Sequence, residues 1–456
     1  MSVNPADSQI YGSLFGTDQM RDLISDRAQL AAMLEVEAAL ARAEASLGII
    51  PHEAAQAITA AARIEVLSFD KIAASTAIVG YPVVELVAQL GRAAGADAAR
   101  FVHLGATTQD ILDTALVLQM RRGVAIIRRD LIATAQALAE QAMRYRDTPI
   151  AGRSHLQHAV PITFGLKCAT WAAPLATHVA RLDQAAARVF VVQFGGAAGT
   201  LASLGLSGPA VAAALAHELD LAAPDLPWHV TRDSLAEVAA IFALICGSLS
   251  KFALDIVLLS QTEVAEVCEP HTEGTGSSST MPQKRNPILS EYILAATRAV
   301  HALVPIVFSA MTQDHERSTG AWQSESLAIP QIFTLTAGAL ARARTLAAGM
   351  IADPARMRLN LDATGGLIMA EALATILTPA MGRAAAHHAV SRACDRARDE
   401  NCALGDVIAD MIAKDDAQLG RHLSHEEIAR AMDPACYLGS AGIFVDRVAA
   451  RIAALK

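Results

Sequence analysis

The sequence predicts an all-α protein built from long helices. Apolar residues recur at steps of three and four along most of the 456-residue chain, and the alternating pattern of exposed strands is nearly absent. Residues 233–267 contain no proline and one glycine, so they can form a single helix about 50 Å long. Helices of this length are stabilised by neighbours, and we therefore expect a helix bundle.

The N-terminal residues 1–105 are predicted to form a helical domain. An apolar stripe runs from Met33 to Leu47 in steps of three and four, and Gly48 and Pro51 end that helix. A central domain, 106–352, follows and contains further long helices at 106–144 and 288–311. Their alanine-rich surfaces bury little area alone, so we expect packing to continue across subunits.

The breaks between long helices fall where glycine, serine and proline gather, at 105–108, 152–161, 195–209 and 274–287. From about Asp353 onward the helices are shorter, with breaks at Gly365, Gly366, Pro379 and Pro434. This pattern predicts a small C-terminal helical domain, 353–456.

Charge and composition exclude several classes of protein. The chain has 37 basic and 46 acidic residues, and this acidic balance argues against a nucleic-acid partner. The first basic residue is Arg21 and no apolar leader precedes it, so we expect a cytoplasmic protein. In the 233–267 helix the longest charge-free part lies between Glu237 and Lys251, which predicts no membrane span. Six widely spaced cysteines favour buried, reduced thiols over zinc or disulfides.

The most informative segment is the loop from Gly274 to Pro287. Its first half consists of small residues and its second half is rigid and polar. With Pro287 in the first turn of the next helix and Asn286 as its N-cap, free N–H groups would lie beside Lys284 and form an anion site. The alternative is an ordinary linker. Nucleotide binding is poorly supported, because the order of residues matches neither phosphate-loop pattern.

This loop resembles the signature of the fumarase/aspartase superfamily, G-S-S-x-M-P-x-K-x-N-P, with Ser277 in place of the glycine. That superfamily includes class II fumarase, argininosuccinate lyase and adenylosuccinate lyase. The resemblance covers nearly the whole chain and is strongest to the bacterial 3-carboxy-cis,cis-muconate cycloisomerase branch. The segments that carry it are 20–51, 103–110, 192–196, 227–229, 315–318 and 437–439.

The resemblance implies a fumarase/aspartase-like three-domain homotetramer whose active sites combine segments of three subunits. Such enzymes add or remove a group on a succinate-type substrate, here a small dicarboxylate or tricarboxylate, without metal or organic cofactor. Ser278 matches the catalytic base, and Lys284 and Asn286 match residues that hold a substrate carboxylate. Ser279 and Met281 of the same loop are expected at the substrate. Removal of a proton from the carbon beside a carboxylate creates a dianion, and fixed hydrogen-bond donors such as Lys284 and Asn286 would stabilise its negative charge.

A second segment, 152–158, places two histidines three residues apart. His155 matches the superfamily residue that pairs with a glutamate seven positions after the signature lysine, and that position is Glu291. The pair would form a proton relay, with Ser154 and Gln157 beside it at the substrate. Alternatives are a metal pair on one helix face, or a buried histidine and a surface glutamate. For His158 we expect a satisfied core position.

This pair departs from the cycloisomerases, which typically hold non-ionisable residues at both places. A carboxylate leaving group, with a pKa near ~4, departs unaided, whereas an amine, with a pKa near ~10, must be protonated first. His155 and Glu291 therefore favour a lyase acting on an N-substituted aspartate with fumarate as product. The alternatives are 3-carboxy-cis,cis-muconate cycloisomerase and, less favoured, adenylosuccinate lyase or a non-enzymatic structural relative.

A third segment resembles the carboxylate-binding T-S-x-D region of the superfamily. It supplies His103, Thr107, Thr108 and Gln109 as expected substrate contacts, although threonines before a helix also act as caps. Arg317 is expected to clamp a second carboxylate, the alternative being a solvated ion pair with a neighbouring glutamate. No histidine lies at 78–82, where adenylosuccinate lyases carry one, and this argues against a purine nucleotide substrate.

Overall fold

The structure, a computed structural model, describes residues 4–271, 274, 276, 280–413 and 424–455. Helices dominate this part of the chain, and the predicted all-α class is confirmed. The α-helices are α1 Gly12–Phe15, α2 Asp18–Leu23, α3 Asp26–Ser46, α4 His52–Ala61, α5 Phe69–Val79, α6 Val83–Ala94, α7 Ala96–Ala99, α8 Thr108–Arg144, α9 Phe164–Val189, α10 Gly208–Glu218, α11 Asp233–Leu259, α12 Ile288–Ser309, α13 Ala321–Gly349, α14 Pro354–Asp362, α15 Ala370–Met381, α16 Arg383–Asp399, α17 Leu404–Ala413, α18 His425–Ala431 and α19 Ala441–Ala453.

Short 3-10 helices occur at Pro5–Asp7, Ile64–Val66, Ala202–Ser207, Leu367–Met369 and Pro434–Cys436. Two antiparallel pairs of strands complete the described chain. Strands β1 Pro149–Ser154 and β2 Gln157–Thr163 form a hairpin, and β3 Val267–Cys268 pairs with β4 Ile351–Ala352.

The chain divides into two compact units, each built from separate segments. The first comprises Met1–Leu131, Thr177–Ser250 and Tyr292–Ala341, and the second Ile132–Ala176, Lys251–Glu291 and Arg342–Lys456. The predicted division at 105 and 352 remains a prediction.

Helix α3 lies at the centre of the first unit's core. Ser25 caps it by accepting a hydrogen bond from the Ala28 amide, and the helix packs against α4 and α10. Met33 and Leu40 of the predicted apolar stripe are fully buried. Glu37 and Glu44 are also buried on α3. Burying a carboxyl group on α3 costs free energy unless the group is neutral or is paired with a partner.

The second unit has a core between α15, α16 and α17, formed by residues such as Leu373, Leu377 and Val407. A smaller cluster joins Ala151 of β1 to Ile368, Met369 and Ala372. The hairpin is thus attached through its β1 strand to a packed interior.

The predicted 233–267 helix is too long. Helix α11 ends at Leu259, where the chain turns around Gln261, and the Glu266 amide returns to donate to the Leu259 carbonyl at 3.0 Å. Judged by length and composition alone, α11 and α12 are both apolar enough to cross a membrane. The charge of Lys251 is therefore insufficient by itself to exclude a span in α11.

Candidate active site

The start of α8 is organised by the buried carboxylate of Asp110. It accepts hydrogen bonds from the Thr107, Gly195 and Gly196 amides, each at 2.9 Å. Its Oδ1 also lies 2.7 Å from Nε2 of the buried His229. Asp110 thus joins the loop before α8 to the Gly195–Gly196 turn and to His229. The sequence pattern predicts no role for His229, although the segment 227–229 carries part of the family resemblance.

Arg317 contacts this same region. Its Nη1 donates to the Thr107 hydroxyl at 3.0 Å and its Nη2 to the Ala197 carbonyl at 3.1 Å. Among the described residues its Nε has no partner, although it is shielded from solvent, and no carboxylate pairs with the guanidinium. The ion pair with Glu316 considered as an alternative is therefore not formed here. An uncompensated guanidinium beside a helix N-terminus can bind a carboxylate.

The turn that carries Arg317 is held by Asp314. Its carboxylate accepts hydrogen bonds from the Thr319 amide at 3.2 Å and the Thr319 hydroxyl at 2.6 Å. The bond from this hydroxyl is the main reason that the pKa of Asp314 is lowered. The turn presents Arg317 from a fixed backbone.

His103 lies in the loop before α8 with a positive φ of 63°. Its Nδ1 is 2.6 Å from Oε1 of Glu37, which is only 1% exposed. Burial lowers the pKa of His103, but the hydrogen bond and charge of Glu37, together with the charge of Asp110, outweigh it and raise the pKa overall. The ring is therefore protonated more readily than an ordinary histidine.

Gln109 and Thr108 occupy different surroundings. The Gln109 side chain is buried, and its Nε2 donates to Oδ2 of Asp113 at 3.1 Å and to the His229 carbonyl at 3.0 Å. Its amide is thus engaged inside the first unit. Thr108 is the half-buried first residue of α8. Substrate contacts of Thr108 and Gln109 remain predictions.

The segment with two histidines is a β-hairpin, so the interpretation as a metal pair on one helix face is wrong. His155 and Leu156 form the two-residue turn, both with positive φ, as in the turns that match strand twist. Ser154 and Gln157 pair at the ends of the strands, and all four side chains are exposed. The predicted satisfied core position of His158 is also wrong. This ring is half-buried, and its Nδ1 finds no partner within the described ranges.

The hairpin is anchored close to its turn by a bidentate ion pair of Arg153, which pairs with His158 in the strand register. Both Nη atoms of Arg153 lie 2.8 Å from the carboxylate of Glu266, which has no solvent exposure. Asn360 donates a further hydrogen bond to this carboxylate at 2.8 Å. The ion pair fixes the strand two residues before His155, while the turn with His155 is exposed in the single chain.

Two predicted residues of the signature loop, Ser278 and Ser279, lie outside the described residues. Met281 is exposed, and its carbonyl accepts a hydrogen bond from the Lys284 amide at 3.0 Å. The Asn286 amide donates to the Gly276 carbonyl at 2.9 Å. Gly276 has a φ of +66°, and a Cβ atom there would lie 2.5 Å from the Asn286 carbonyl oxygen, so only glycine fits.

The expectation of a free helix end beside Lys284 is wrong. Helix α12 begins at Ile288, and the carboxylate of Glu269 caps its N-terminal end. Its carboxylate accepts hydrogen bonds from the Leu289 and Ser290 amides at 2.9 and 2.7 Å, and from the Ser290 hydroxyl at 2.7 Å. Glu269 follows β3, and sequence spacing gave no sign that it would reach α12. The exposed side chains of Lys284 and Arg285 are the cations of this loop among the described residues.

Glu291 lies exposed in the first turn of α12. Within the described chain it makes no hydrogen bond or ion pair with His155, which is exposed on the hairpin tip. Their pairing remains a prediction. As far as the structure describes the chain, no group of three or more His, Cys, Asp or Glu side chains is arranged to hold a metal ion. All six cysteines are unpaired, and three are buried.

Comparisons with known proteins agree with the fold and with the loop signature. Residues 15–301 match the family described as Lyase, and residues 366–448 match Adenylosuccinate lyase C-terminus. The 3-carboxy-cis,cis-muconate cycloisomerase of Pseudomonas aeruginosa is 47% identical over 100% of this chain and 98% of its own length. Nitrosuccinate lyase of Streptomyces davaonensis is 42% identical, covering 93% of this chain and 90% of its own.

Among solved structures, the 3-carboxy-cis,cis-muconate lactonizing enzyme of Pseudomonas putida matches with a TM-score of 0.91. It is 44% identical and the match covers 98% of this chain and 99% of that one. A family match over more than half of the chain, with relatives of this identity at full length, decides the assignment. The chain belongs to the lyase family and is an enzyme of the fumarase/aspartase superfamily.

Proposed function

We propose that this enzyme is a cofactor-free lyase that catalyses reversible anti β-elimination on an N-substituted aspartate and releases fumarate. The observation that carries the proposal is Arg317, whose guanidinium lies against Thr107 at the start of α8 without a carboxylate partner among the described residues. A substrate carboxylate would supply the missing partner. His103, in the same loop, would add a second donor.

The reaction begins with removal of a proton from carbon. We assign this step to Ser278, and we assign to Lys284 and Asn286 the stabilisation of the negative charge that develops on the adjacent carboxylate. Because Glu269 already neutralises the end of α12, this positive charge comes from the side chain of Lys284 rather than from the helix end. Ser279 and Met281 complete this side of the pocket.

The second step is departure of the leaving group. His155 would protonate the nitrogen, and Glu291 would hold the imidazole in position. A relative that is 42% identical bears the name nitrosuccinate lyase, which supports a succinate with a nitrogen substituent. The 47% identical relative supports a second candidate, internal lactonisation of 3-carboxy-cis,cis-muconate.

We further propose that the enzyme is a cytoplasmic homotetramer. Leu244 and Leu254 on α11 and Phe308 on α12 are each 46–48% exposed in the single chain. Contact with neighbouring copies would cover these apolar side chains, and the His155–Glu291 pair would form between subunits. No membrane or nucleic-acid partner is part of this proposal.

The test is an assay of the purified enzyme with a panel of N-substituted aspartates and, separately, with 3-carboxy-cis,cis-muconate. We expect fumarate from a member of the panel. Lactone from muconate would select the second candidate, and silence on both would contradict both candidate reactions and leave the non-enzymatic alternative open. We expect Ser278→Ala to abolish turnover, and Ser277→Gly, which restores the superfamily residue, to retain it. Near-normal turnover in Ser278→Ala would remove the serine from its assigned role.

A further inference from the structure

Glu37 is a buried carboxylate with one charged neighbour. It lies on α3, is 1% exposed, and uses Oε1 to contact Nδ1 of His103 at 2.6 Å. Its Oε2 is enclosed and has no partner among the described residues. A carboxylate buried in this way costs stability unless the group it faces is positively charged. The contact with His103 therefore has more than a packing role.

The protonation chemistry of the ring gives that role. A neutral imidazole that donates from Nδ1 to Glu37 has only a lone pair on Nε2 and would repel a carboxylate. An imidazolium donates from both nitrogens and can hold Glu37 on one side and a substrate carboxylate on the other. The described residues make no hydrogen bond to Nε2 of His103, so this atom is available to a ligand.

The charged groups that face the ring are Glu37 on α3 and Asp110 in the first turn of α8. Both are acidic, and both favour the imidazolium. Glu44 lies seven residues after Glu37 on α3 and is fully buried, with neither carboxylate oxygen partnered among the described residues. Burial and the neighbouring Glu37 raise the pKa of Glu44 to about 8, so it is mostly neutral at pH 7. Of the two buried carboxyl groups on α3, Glu37 is then the one whose charge acts on His103.

We propose that Glu37 is a positioning residue that keeps His103 as an imidazolium, with Nε2 presented to a substrate carboxylate in the region of Thr107 and Arg317. This inference rests on the proposed function, since it takes the ligand to be a succinate-type carboxylate. Glu37 would then be a core residue that controls the protonation state of His103, which contacts the substrate. Glu37 itself does not touch the ligand.

The test is calorimetric titration of the full-length protein with succinate, between about pH 6 and pH 9, for wild type and Glu37→Gln. Glutamine can still accept the Nδ1 hydrogen bond but carries no charge. At about pH 8 we expect Glu37→Gln to bind succinate roughly 10- to 100-fold more weakly, the factor that a charge-assisted hydrogen bond contributes. Toward pH 6 the difference from wild type should narrow, because the ring then takes up a proton more readily, while burial still lowers its pKa in the variant.

The matched control is Glu44→Gln, which removes a second buried carboxyl from α3 without touching His103. It should follow the wild-type pH profile. Equal succinate affinity of wild type and Glu37→Gln at about pH 8 would overturn the proposal, as would equal weakness of Glu37→Gln at every pH, which would indicate a purely structural role.

A second variant keeps the test decisive if Glu37→Gln fails to fold. In wild type, succinate affinity should fall at high pH as His103 loses its proton. His103→Gln should lack this fall, and an unchanged fall in that variant would overturn the proposal. Binding does not require turnover. If the pH profiles are as expected but no panel compound yields fumarate, the proposed reaction is contradicted, whereas the proposed role of Glu37 and His103 in binding a carboxylate is still supported.

Discussion

The groups around the start of α8 and those around the start of α12 are prepared in different ways. In the first region Asp110, Asp314 and Glu37 each hold a neighbouring loop, amide or ring, so that Thr107, Arg317 and His103 are fixed within a single chain. In the second region Lys284 and Glu291 are exposed, as is His155 on the hairpin, and these three residues make no contacts with one another among the described residues. This difference teaches that one chain preorganises its carboxylate-binding groups, whereas the single chain does not bring the proposed proton-transfer groups His155 and Glu291 into contact.

The largest effect should come from His155→Gln, which breaks the proton-transfer side of the comparison. General acid catalysis typically contributes 10²- to 10⁴-fold, so we expect kcat for an N-substituted aspartate to fall by about that factor. His158→Gln, at the other histidine of the hairpin, is the matched control and should keep kcat within a few-fold. Equal losses for an amine and for a lactone substrate in steady-state assays would contradict the leaving-group argument.

Arg317→Ala tests the carboxylate-binding side. We expect KM to rise roughly 10- to 100-fold, since the variant loses charge-assisted hydrogen bonds to the substrate. The KM of Arg317→Lys should lie between those of wild type and Arg317→Ala, because lysine keeps the positive charge but lacks the planar guanidinium that forms paired hydrogen bonds. Glu316→Ala, at the exposed neighbouring position, should leave KM unchanged. A wild-type KM in Arg317→Ala would show that the clamp lies elsewhere.

Glu269→Ala sharpens the comparison at the start of α12. Loss of a helix cap that contacts two amides and a hydroxyl should lower the free energy of unfolding by about 1 kcal/mol. The measurement is equilibrium denaturation in urea. Glu291→Ala is the control, because Glu291 lies in the first turn of α12 but does not accept hydrogen bonds from the Leu289 and Ser290 amides. A larger loss in the control would contradict the capping role.

The smallest effect concerns Glu44, near the carboxylate-binding region. Its pKa is raised from 4.5 to about 8 in the folded protein by burial and by Glu37, so the folded state keeps a proton that the unfolded chain releases. The contribution of protonated Glu44 to the free energy of unfolding is therefore fully present below about pH 4.5, and it declines as the pH rises toward 8. Glu44→Gln, a mimic of the neutral form, should raise Tm by a few degrees at pH 8.5 and hardly change it at pH 4.5. Equal shifts at both pH values in a thermal melt would show that Glu44 does not titrate in this range.

Periodicity and the loop signature together predicted much of the molecule. The helices expected at 106–144 and 288–311 are observed as Thr108–Arg144 and Ile288–Ser309, because long apolar stripes define helices locally. The hairpin at 149–163 was missed, because its turn is Ser-His-Leu-Gln rather than a glycine or asparagine turn. The roles of Glu37 and Glu269 depend on contacts between distant segments, which local patterns do not encode.

The hairpin tip has a consequence for attempts to make the enzyme more robust. His155 and Leu156 both have backbone conformations that asparagine and glycine adopt with less strain. Replacing the pair with Asn-Gly should therefore increase thermal tolerance while removing the imidazole proposed to complete the reaction. Directed evolution screened on heat resistance alone would be drawn toward this dipeptide, so a screen for a hardier catalyst must select on turnover at the same time.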